Sequence, residues 1–226
     1  MRIANRLVPV LLAIVAVMFV VAPFLIVNAP GMAGPDGRPL GIIFKIFYFH
    51  VPSASIAMIS AYVCGGASLL YLWRRRPMAD AFGIAAAELV VLFGLITLVT
   101  GPIWARKAWG VWWQWDPRLT ITLVMWMVFV AYLMLRRFGG PGSDVLAAAV
   151  GLFGAVLVPF VYWSVDVWRS VHPDTNVKFN LPPALLGPFL WCMATFALFY
   201  IALLLVRVRL EAARAALEAA YQALED

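Results

Sequence analysis

The chain alternates between six long apolar runs and short connections that carry most of its charge. The runs cover residues 7–27, 51–73, 81–103, 119–135, 145–165 and 181–206. Five of them contain no charged residue, and the third contains only Glu88. The hydrocarbon core of a bilayer is about 30 Å thick, and a helix needs about 20 apolar residues to cross it. Each run is therefore predicted to be a transmembrane helix, and the strand-like alternation typical of a membrane barrel is absent from the sequence.

Composition supports an all-α integral membrane protein. Of the 226 residues, 65% are hydrophobic and 12% are charged, whereas a soluble domain is about 45–50% apolar and about 25% charged. The connections are short, so residues 1–226 are predicted to form one six-helix membrane domain. The first run lacks a small-residue cleavage site after it, which favours a retained helix over a signal peptide. The tail from Arg207 is rich in Ala, Glu, Arg and Leu, which predicts a cytoplasmic extension of the last helix.

The positive-inside rule gives the orientation. On one side the short loops and helix ends hold ten basic residues: Arg2, Arg6, Arg74, Arg75, Arg76, Arg136, Arg137, Arg207, Arg209 and Arg214. On the other side lie seven: Arg38, Lys45, Arg106, Lys107, Arg118, Arg169 and Lys178. The first set is clustered at helix ends, so we expect it, and both termini, to be cytoplasmic. The seven external cations exceed what the rule predicts, and the net charge of +6 gives no indication of nucleic-acid binding.

The unusual chemistry falls on the three segments predicted to be external, residues 28–50, 104–118 and 166–180. The chain's only two histidines, His50 and His172, lie in the first and third segments. Five of its ten tryptophans lie in the middle one, between predicted helices 3 and 4.

A helical conformation over residues 106–116 would give the tryptophans a common face. Trp109, Trp112, Trp113 and Asp116 would then follow i, i+3, i+4, i+7 spacing and form an aromatic shelf with a carboxylate at its end. Pro117 would limit the continuation of that helix at Asp116.

The alternative is an ordinary interfacial belt of tryptophans. That interpretation suits Trp73, Trp126, Trp163 and Trp191, which we expect to be belt or bundle residues. Four tryptophans within residues 109–115 are denser than a belt requires, so a platform for a flat aromatic ligand is favoured there.

The two histidines suggest that the flat ligand is haem. Neutral imidazole is a strong iron ligand, and haem accepts one ligand on each side of its plane. A structural zinc site fits less well because it wants four ligands, and Cys64 and Cys192 both lie within apolar runs, where small buried residues are expected. The chain has no Cys-x-x-Cys-His motif, so it is not expected to carry a covalent c-type haem itself.

The surplus of external cations would then have a role, because haem carries two propionates that charge-assisted hydrogen bonds can hold. The nearest basic residues in sequence are Lys45, Arg106, Lys107 and Arg118. Lys45 lies in Leu40–Phe49, which could be a short interfacial helix or the lead-in to the second span. Glu88 is expected nearer the cytoplasmic end and outside the site, where a packing or partner-subunit role and a transport role both stay open.

Residues 109–120, Trp-Gly-Val-Trp-Trp-Gln-Trp-Asp-Pro-Arg-Leu-Thr, resemble the tryptophan-rich (WWD) signature of the haem-handling proteins of cytochrome c maturation. With six spans and this length, the chain resembles the haem exporter protein C type of the bacterial system I pathway over essentially its whole length. Phe-His-Val-Pro at 49–52 and Val-His-Pro at 171–173 match the positions of that family's two external haem-ligand histidines. Larger members of the superfamily have further spans and membrane-embedded histidines, so this chain is expected to handle one haem.

The resemblance implies a site and a set of partners. His50 and His172 would be the axial ligands of a non-covalently held haem b, and Lys45 and Arg118 the propionate partners. The haem shelf would comprise Trp109, Trp112, Trp113, Trp115 and Asp116. Such proteins sit in the bacterial inner membrane with the haem site facing the periplasm. They pass haem to a periplasmic haem chaperone of the CcmE type. They work with a small single-span subunit of the CcmD type and with ABC transporter subunits of the CcmA and CcmB types. The transporter subunits use ATP to release the loaded chaperone.

Two other functions stay open at this point. A haem or solute permease would need a polar path, for which Glu88 is the only charged residue within the spans. An electron-transfer subunit of the cytochrome b type usually places its histidines inside the spans. The sequence offers no nucleophile–base pair, nucleotide motif or catalytic carboxylate pair, so the chain is expected not to be an enzyme.

Overall fold

The computed structural model describes residues 2–33, 37, 39–168, 170–172 and 181–225, with side chains from residue 7 to residue 224 of those ranges. Within them it has a 3-10 helix at Gly41–Ile46 and six long α-helices. The α-helices are α1 (Arg2–Asn28), α2 (Phe47–Arg74), α3 (Pro77–Ala108), α4 (Pro117–Phe138), α5 (Ser143–Val167) and α6 (Pro183–Glu225). Six helical segments are long and apolar enough to cross a membrane, which confirms the predicted all-α membrane fold.

Helices α1 to α5 extend beyond both ends of the apolar runs that predicted them, and α6 extends beyond the carboxyl end of its run. The runs end where charge begins, but the flanking Ala, Arg, Glu and Lys residues are good helix formers and the helices continue through them. The clearest case is α6, which is 43 residues long and runs without interruption through the Arg207 tail. The predicted helical extension is therefore confirmed.

Small residues let the helices approach closely, as is common in membrane bundles. A Cβ at Gly65 of α2 would lie 2.4 Å from the Cβ of Ala155 on α5. A Cβ at Gly94 of α3 would lie 2.7 Å from the indole of Trp126 on α4. Helix α2 packs extensively on both α3 and α5, so it forms the centre of the bundle.

The tryptophans outside the dense cluster divide into bundle and surface residues. Trp126 and Trp191 donate their indole N–H groups to backbone carbonyls of α3 and α1, at 3.0 and 3.1 Å. Trp73 and Trp163 are exposed. Both cysteines, Cys64 and Cys192, are buried and free, as expected.

Glu88 is held by an ion pair within the bundle. Both carboxylate oxygens of Glu88 on α3 accept from the Arg207 guanidinium of α6, which also donates to Glu211 at 2.8 Å. Asp80, which precedes Glu88 in α3, accepts a hydrogen bond from the guanidinium of Arg136 of α4 at 2.6 Å. These pairs join α3, α4 and α6 at one end of the bundle, and Glu88 thus forms a contact between two helices.

Candidate functional site

The predicted site residues gather at the other end of the bundle because consecutive helices run in opposite directions. His50 lies in the first turn of α2, and α3 ends at Ala108. The tryptophan segment follows, α4 begins at Pro117 and α5 ends at Val167. His172 comes shortly after the end of α5. Both histidines and all the predicted tryptophans are thus at one end.

Helix α3 holds the imidazole of His50. The His50 Nδ1 atom is 2.9 Å from the Thr100 hydroxyl oxygen. The neighbouring Gly101 has no side chain, and a Cβ there would lie 3.3 Å from His50 Cε1. The Nδ1–Cε1 edge of the ring therefore rests on α3, one turn or more before that helix ends.

The ring of His172 lies against the tryptophan segment. Its centroid is 6.4 Å from that of Trp109 at an interplanar angle of 65°. Trp109 in turn packs edge to face on Trp104, with centroids 5.0 Å apart. Trp104 is one turn beyond the residues that contact His50, so aromatic contacts connect the surroundings of the two histidines.

Asp116 joins two elements of the site. It is the N-cap of α4, with Oδ1 accepting from the backbone N–H of Arg118 at 2.9 Å. Its other oxygen, Oδ2, accepts from the backbone N–H of Val171 at 2.8 Å. Asp116 is only 6% exposed, so its carboxylate fixes the residue before His172 and does not present a charged surface.

The predicted helical shelf of Trp109, Trp112, Trp113 and Asp116 is wrong. Helix α3 ends at Ala108, and residues 109–116 are not helical. Gly110 has φ of +79°, a left-handed conformation that commonly ends a helix. Because the segment is not helical, residues at i, i+3, i+4 and i+7 do not share a face.

The tryptophans instead form a bent aromatic segment. Trp112 and Trp115 are 59% and 77% exposed, while Trp109 and Trp113 are half-buried. Trp113 and Trp115 meet edge to face at 5.8 Å. The segment thus has a half-buried pair, Trp109 and Trp113, and a largely exposed pair, Trp112 and Trp115.

Of the two predicted propionate partners, Arg118 lies within the site. The guanidinium of Arg118 lies 5.7 Å from the ring centroid of Tyr162 on α5. Lys45 has a different contact, because its ammonium group donates to the Ala29 carbonyl just after α1. Lys45 lies in a short 3-10 helix that leads directly into α2, and its position relative to the membrane surface stays a prediction. The propionate role of both residues stays a prediction.

The other predicted external cations have varied positions. Arg106 donates to the Gly110 carbonyl and stabilises the turn after α3, and Lys107 is exposed. Arg38, Arg169 and Lys178 lie outside the described residues.

Sequence reasoning missed three residues of this end. Thr100 and Gly101 contact His50, and Trp104 supports Trp109. Trp104 belongs to the dense cluster and could have been included on that ground. Thr100 and Gly101 are inconspicuous in an apolar run, and only the pairing of α2 with α3 brings them to the histidine.

The sequence of this chain is similar to those of known proteins from one family. The family model described as Heme exporter protein C matches residues 1–222. The chain belongs to the heme exporter protein C family. Its relatives of that name include one from Bradyrhizobium diazoefficiens, 35% identical over 80% of this chain and 71% of the relative. The heme exporter protein C of Escherichia coli K12 is 33% identical over 77% and 73% of the two chains, and that of Paracoccus denitrificans is 32% identical over 84% and 81%.

Proposed function

We propose that this protein binds haem b non-covalently, as cargo, between His50 and His172 and delivers it to a periplasmic haem chaperone. Membership of the heme exporter protein C family gives the chain a role in haem handling during cytochrome c maturation. The finer steps, namely the ligands, the direction and the acceptor, are the content of the proposal.

The main support is that the chain's only two histidines lie at one end of the bundle, beside an aromatic segment. A porphyrin supplies four nitrogen ligands to its iron, so two imidazoles suffice to complete six-coordination. The apolar indoles offer the dry, flat contact that a porphyrin needs. The donor chemistry of the residues present therefore fits haem.

Each part of the site has a separate task in this proposal. His50 and His172 bind iron, and the exposed indoles of Trp112 and Trp115 lie against the porphyrin. Trp109 and Trp113 frame that surface from the protein side. Asp116 holds the loop of His172 in place.

The propionates would meet the cations of the same end. Arg118 lies in the first turn of α4, at the same end of the bundle as the two histidines. Lys45 would have to exchange its bond to the Ala29 carbonyl for one to a propionate. Arginine offers two parallel hydrogen bonds to a carboxylate and lysine only a point charge, so Arg118 is the main partner.

We further propose that the site faces the periplasm from the bacterial inner membrane and that the protein is not itself an enzyme. A family with this role works with other components of cytochrome c maturation. The partners proposed here are a chaperone of the CcmE type, a single-span subunit of the CcmD type and ABC transporter subunits of the CcmA and CcmB types, with membrane lipid around the helices. The permease alternative gains no support, since Glu88, its only charged residue, is paired with Arg207.

Delivery is tested by mixing the purified, haem-loaded protein with haem-free chaperone and following the haem in each after separation. We expect haem to move to the chaperone from the wild-type protein. Glu88→Gln, at the opposite end of the bundle, should deliver as well as wild type. Retention of all haem by the loaded protein in the presence of functional chaperone would refute delivery, and haem transport across a vesicle by this subunit alone would favour a permease.

A further inference from the structure

The hydrogen bonds of Thr100 bear on which nitrogen of His50 carries a proton. Thr100 lies within α3, and its hydroxyl oxygen is 2.7 Å from the Ile96 carbonyl four residues earlier. It is also 3.4 Å from the Thr97 carbonyl. Carbonyl oxygens only accept hydrogen bonds, and a hydroxyl has a single proton. The Thr100 proton is therefore used within its own helix.

With its proton engaged, the Thr100 oxygen can only accept from His50. The partner atom, His50 Nδ1, lies 2.9 Å away, which is hydrogen-bonding distance for a nitrogen donor. A neutral imidazole has one N–H and one unprotonated nitrogen. A proton on Nδ1 leaves Nε2 with a free lone pair, which is the form that binds a metal.

We propose that Thr100 is a positioning residue that fixes His50 as the Nδ1-protonated tautomer, and so makes Nε2 the iron-binding atom. The opposite tautomer would place the Nδ1 lone pair against the hydroxyl oxygen, unless Thr100 gave up its bond to Ile96. Gly101 adds to the effect, since a Cβ there would lie 3.3 Å from His50 Cε1. The Nδ1–Cε1 edge of the ring thus lies against α3, with Nδ1 towards the hydroxyl.

The bond also affects the strength of the ligand. A metal-binding histidine commonly donates its second N–H to an oxygen, which orients the ring and raises the basicity of the metal-bound nitrogen. The loss of such a partner typically lowers metal affinity by about 10–100-fold. The iron part of this inference rests on the proposed function, whereas the tautomer is a property of the haem-free chain.

The tautomer is measured directly by nitrogen-15 NMR of haem-free protein labelled at histidine. The chain has two histidines, and comparison with His172→Gln assigns the signals of His50. We expect the wild-type protein to show a protonated Nδ1 and an unprotonated Nε2 at His50. Thr100→Ser should keep that pattern, and Thr100→Val should lose it and give a mixture of the two tautomers.

Thr97→Val is the matched control. Thr97 is another threonine of α3 whose hydroxyl donates to a carbonyl four residues earlier, that of Phe93 at 2.9 Å. Its removal should leave the His50 signals unchanged, so a general loosening of α3 is separated from a specific effect. A His50 protonated at Nε2 in the wild type, or an unaltered tautomer in Thr100→Val, would overturn the proposal.

A haem titration of the same variants tests the consequence for the ligand. Thr100→Val should bind haem about 10–100-fold more weakly than wild type, with Thr100→Ser and Thr97→Val close to wild type. Equal affinity of all four proteins would overturn the positioning role while leaving haem binding intact. Haem binding that persists after removal of both histidines would instead refute the proposed function, and the NMR result would stand by itself.

Discussion

Asp116 is a buried side chain that joins two elements of the candidate site. Its two oxygens serve different elements, the first turn of α4 and the backbone of Val171. The sequence indicated a carboxylate at the end of an aromatic shelf, and Pro117 at the first position of α4 marks it as a helix cap. Its bond to Val171 could not be predicted, because it joins residues 55 apart in the chain.

We expect Asp116→Ala to destabilise the fold and to weaken haem binding together. The substitution removes the α4 cap and leaves the Val171 N–H without its acceptor, at a cost of about 1–3 kcal/mol in the free energy of unfolding. Asp116→Asn keeps a capping oxygen and should fall between alanine and wild type. Unfolding in detergent and haem titration measure the two effects.

Asp166→Ala is the control for that experiment. Asp166 is an exposed carboxylate near the end of α5, on the same side of the bundle. Its loss should change neither quantity. If Asp116→Ala binds haem more weakly but unfolds like the wild-type protein, Asp116 does not act as a structural bridge. That result would favour a direct contact between the Asp116 carboxylate and haem.

At the scale of elements, the sequence predicted the helices well and the segment between α3 and α4 poorly. Apolar runs of sufficient length determine where membrane helices lie, and all six appear. The tryptophan spacing predicted a helix that does not form, because Gly110 in a left-handed conformation ends α3 and Pro117 starts α4. Glycine after the last helical turn is a recognised stop signal, so the sequence contained the correct information.

Two adjacent glycines of α2 test the packing of the bundle. Gly65 faces Ala155 of α5, whereas a Cβ at Gly66 would meet no heavy atom within 4 Å. Gly65→Ala should therefore destabilise the protein by about 1–3 kcal/mol through overpacking. Gly66→Ala should be neutral or stabilise it by up to about 1 kcal/mol, because alanine is the better helix former.

Unfolding of the two variants in detergent gives the comparison directly. The substitutions are chemically identical and one residue apart, so effects of opposite sign can arise only from their surroundings. Equal changes in the free energy of unfolding would show that α2 and α5 do not pack as described.

At the scale of the whole molecule, the two ends of the bundle differ in chemistry. One end has the histidines, the tryptophan segment and the Asp116 bridge. The other has the ion pairs that join α3, α4 and α6. The clusters of arginine at helix ends predicted which end of the bundle faces the cytoplasm. The ion pair between Glu88 and Arg207 could not be predicted, because the two residues are distant in sequence and only the packing of the helices brings them together.

The orientation can be tested with single cysteines at the two ends of α3. Arg76 and Lys107 are both exposed, and the 32 residues of α3 span about 48 Å at 1.5 Å per residue, more than a membrane core. The native cysteines are 0% and 1% exposed, so they should react little. A membrane-impermeant maleimide added to intact spheroplasts should label Lys107→Cys, and should label Arg76→Cys only after permeabilisation. The reverse pattern would place the histidines in the cytoplasm.

We propose that one haem is held between His50 and His172, and the absorption and electron paramagnetic resonance spectra of the haem-loaded protein report this ligation. Two imidazole ligands predict a six-coordinate, low-spin iron. Each single substitution, His50→Ala or His172→Ala, should change the spin state, and the double substitution should abolish stable binding in a protein that remains folded. A low-spin spectrum of normal intensity in the folded double variant would contradict the account.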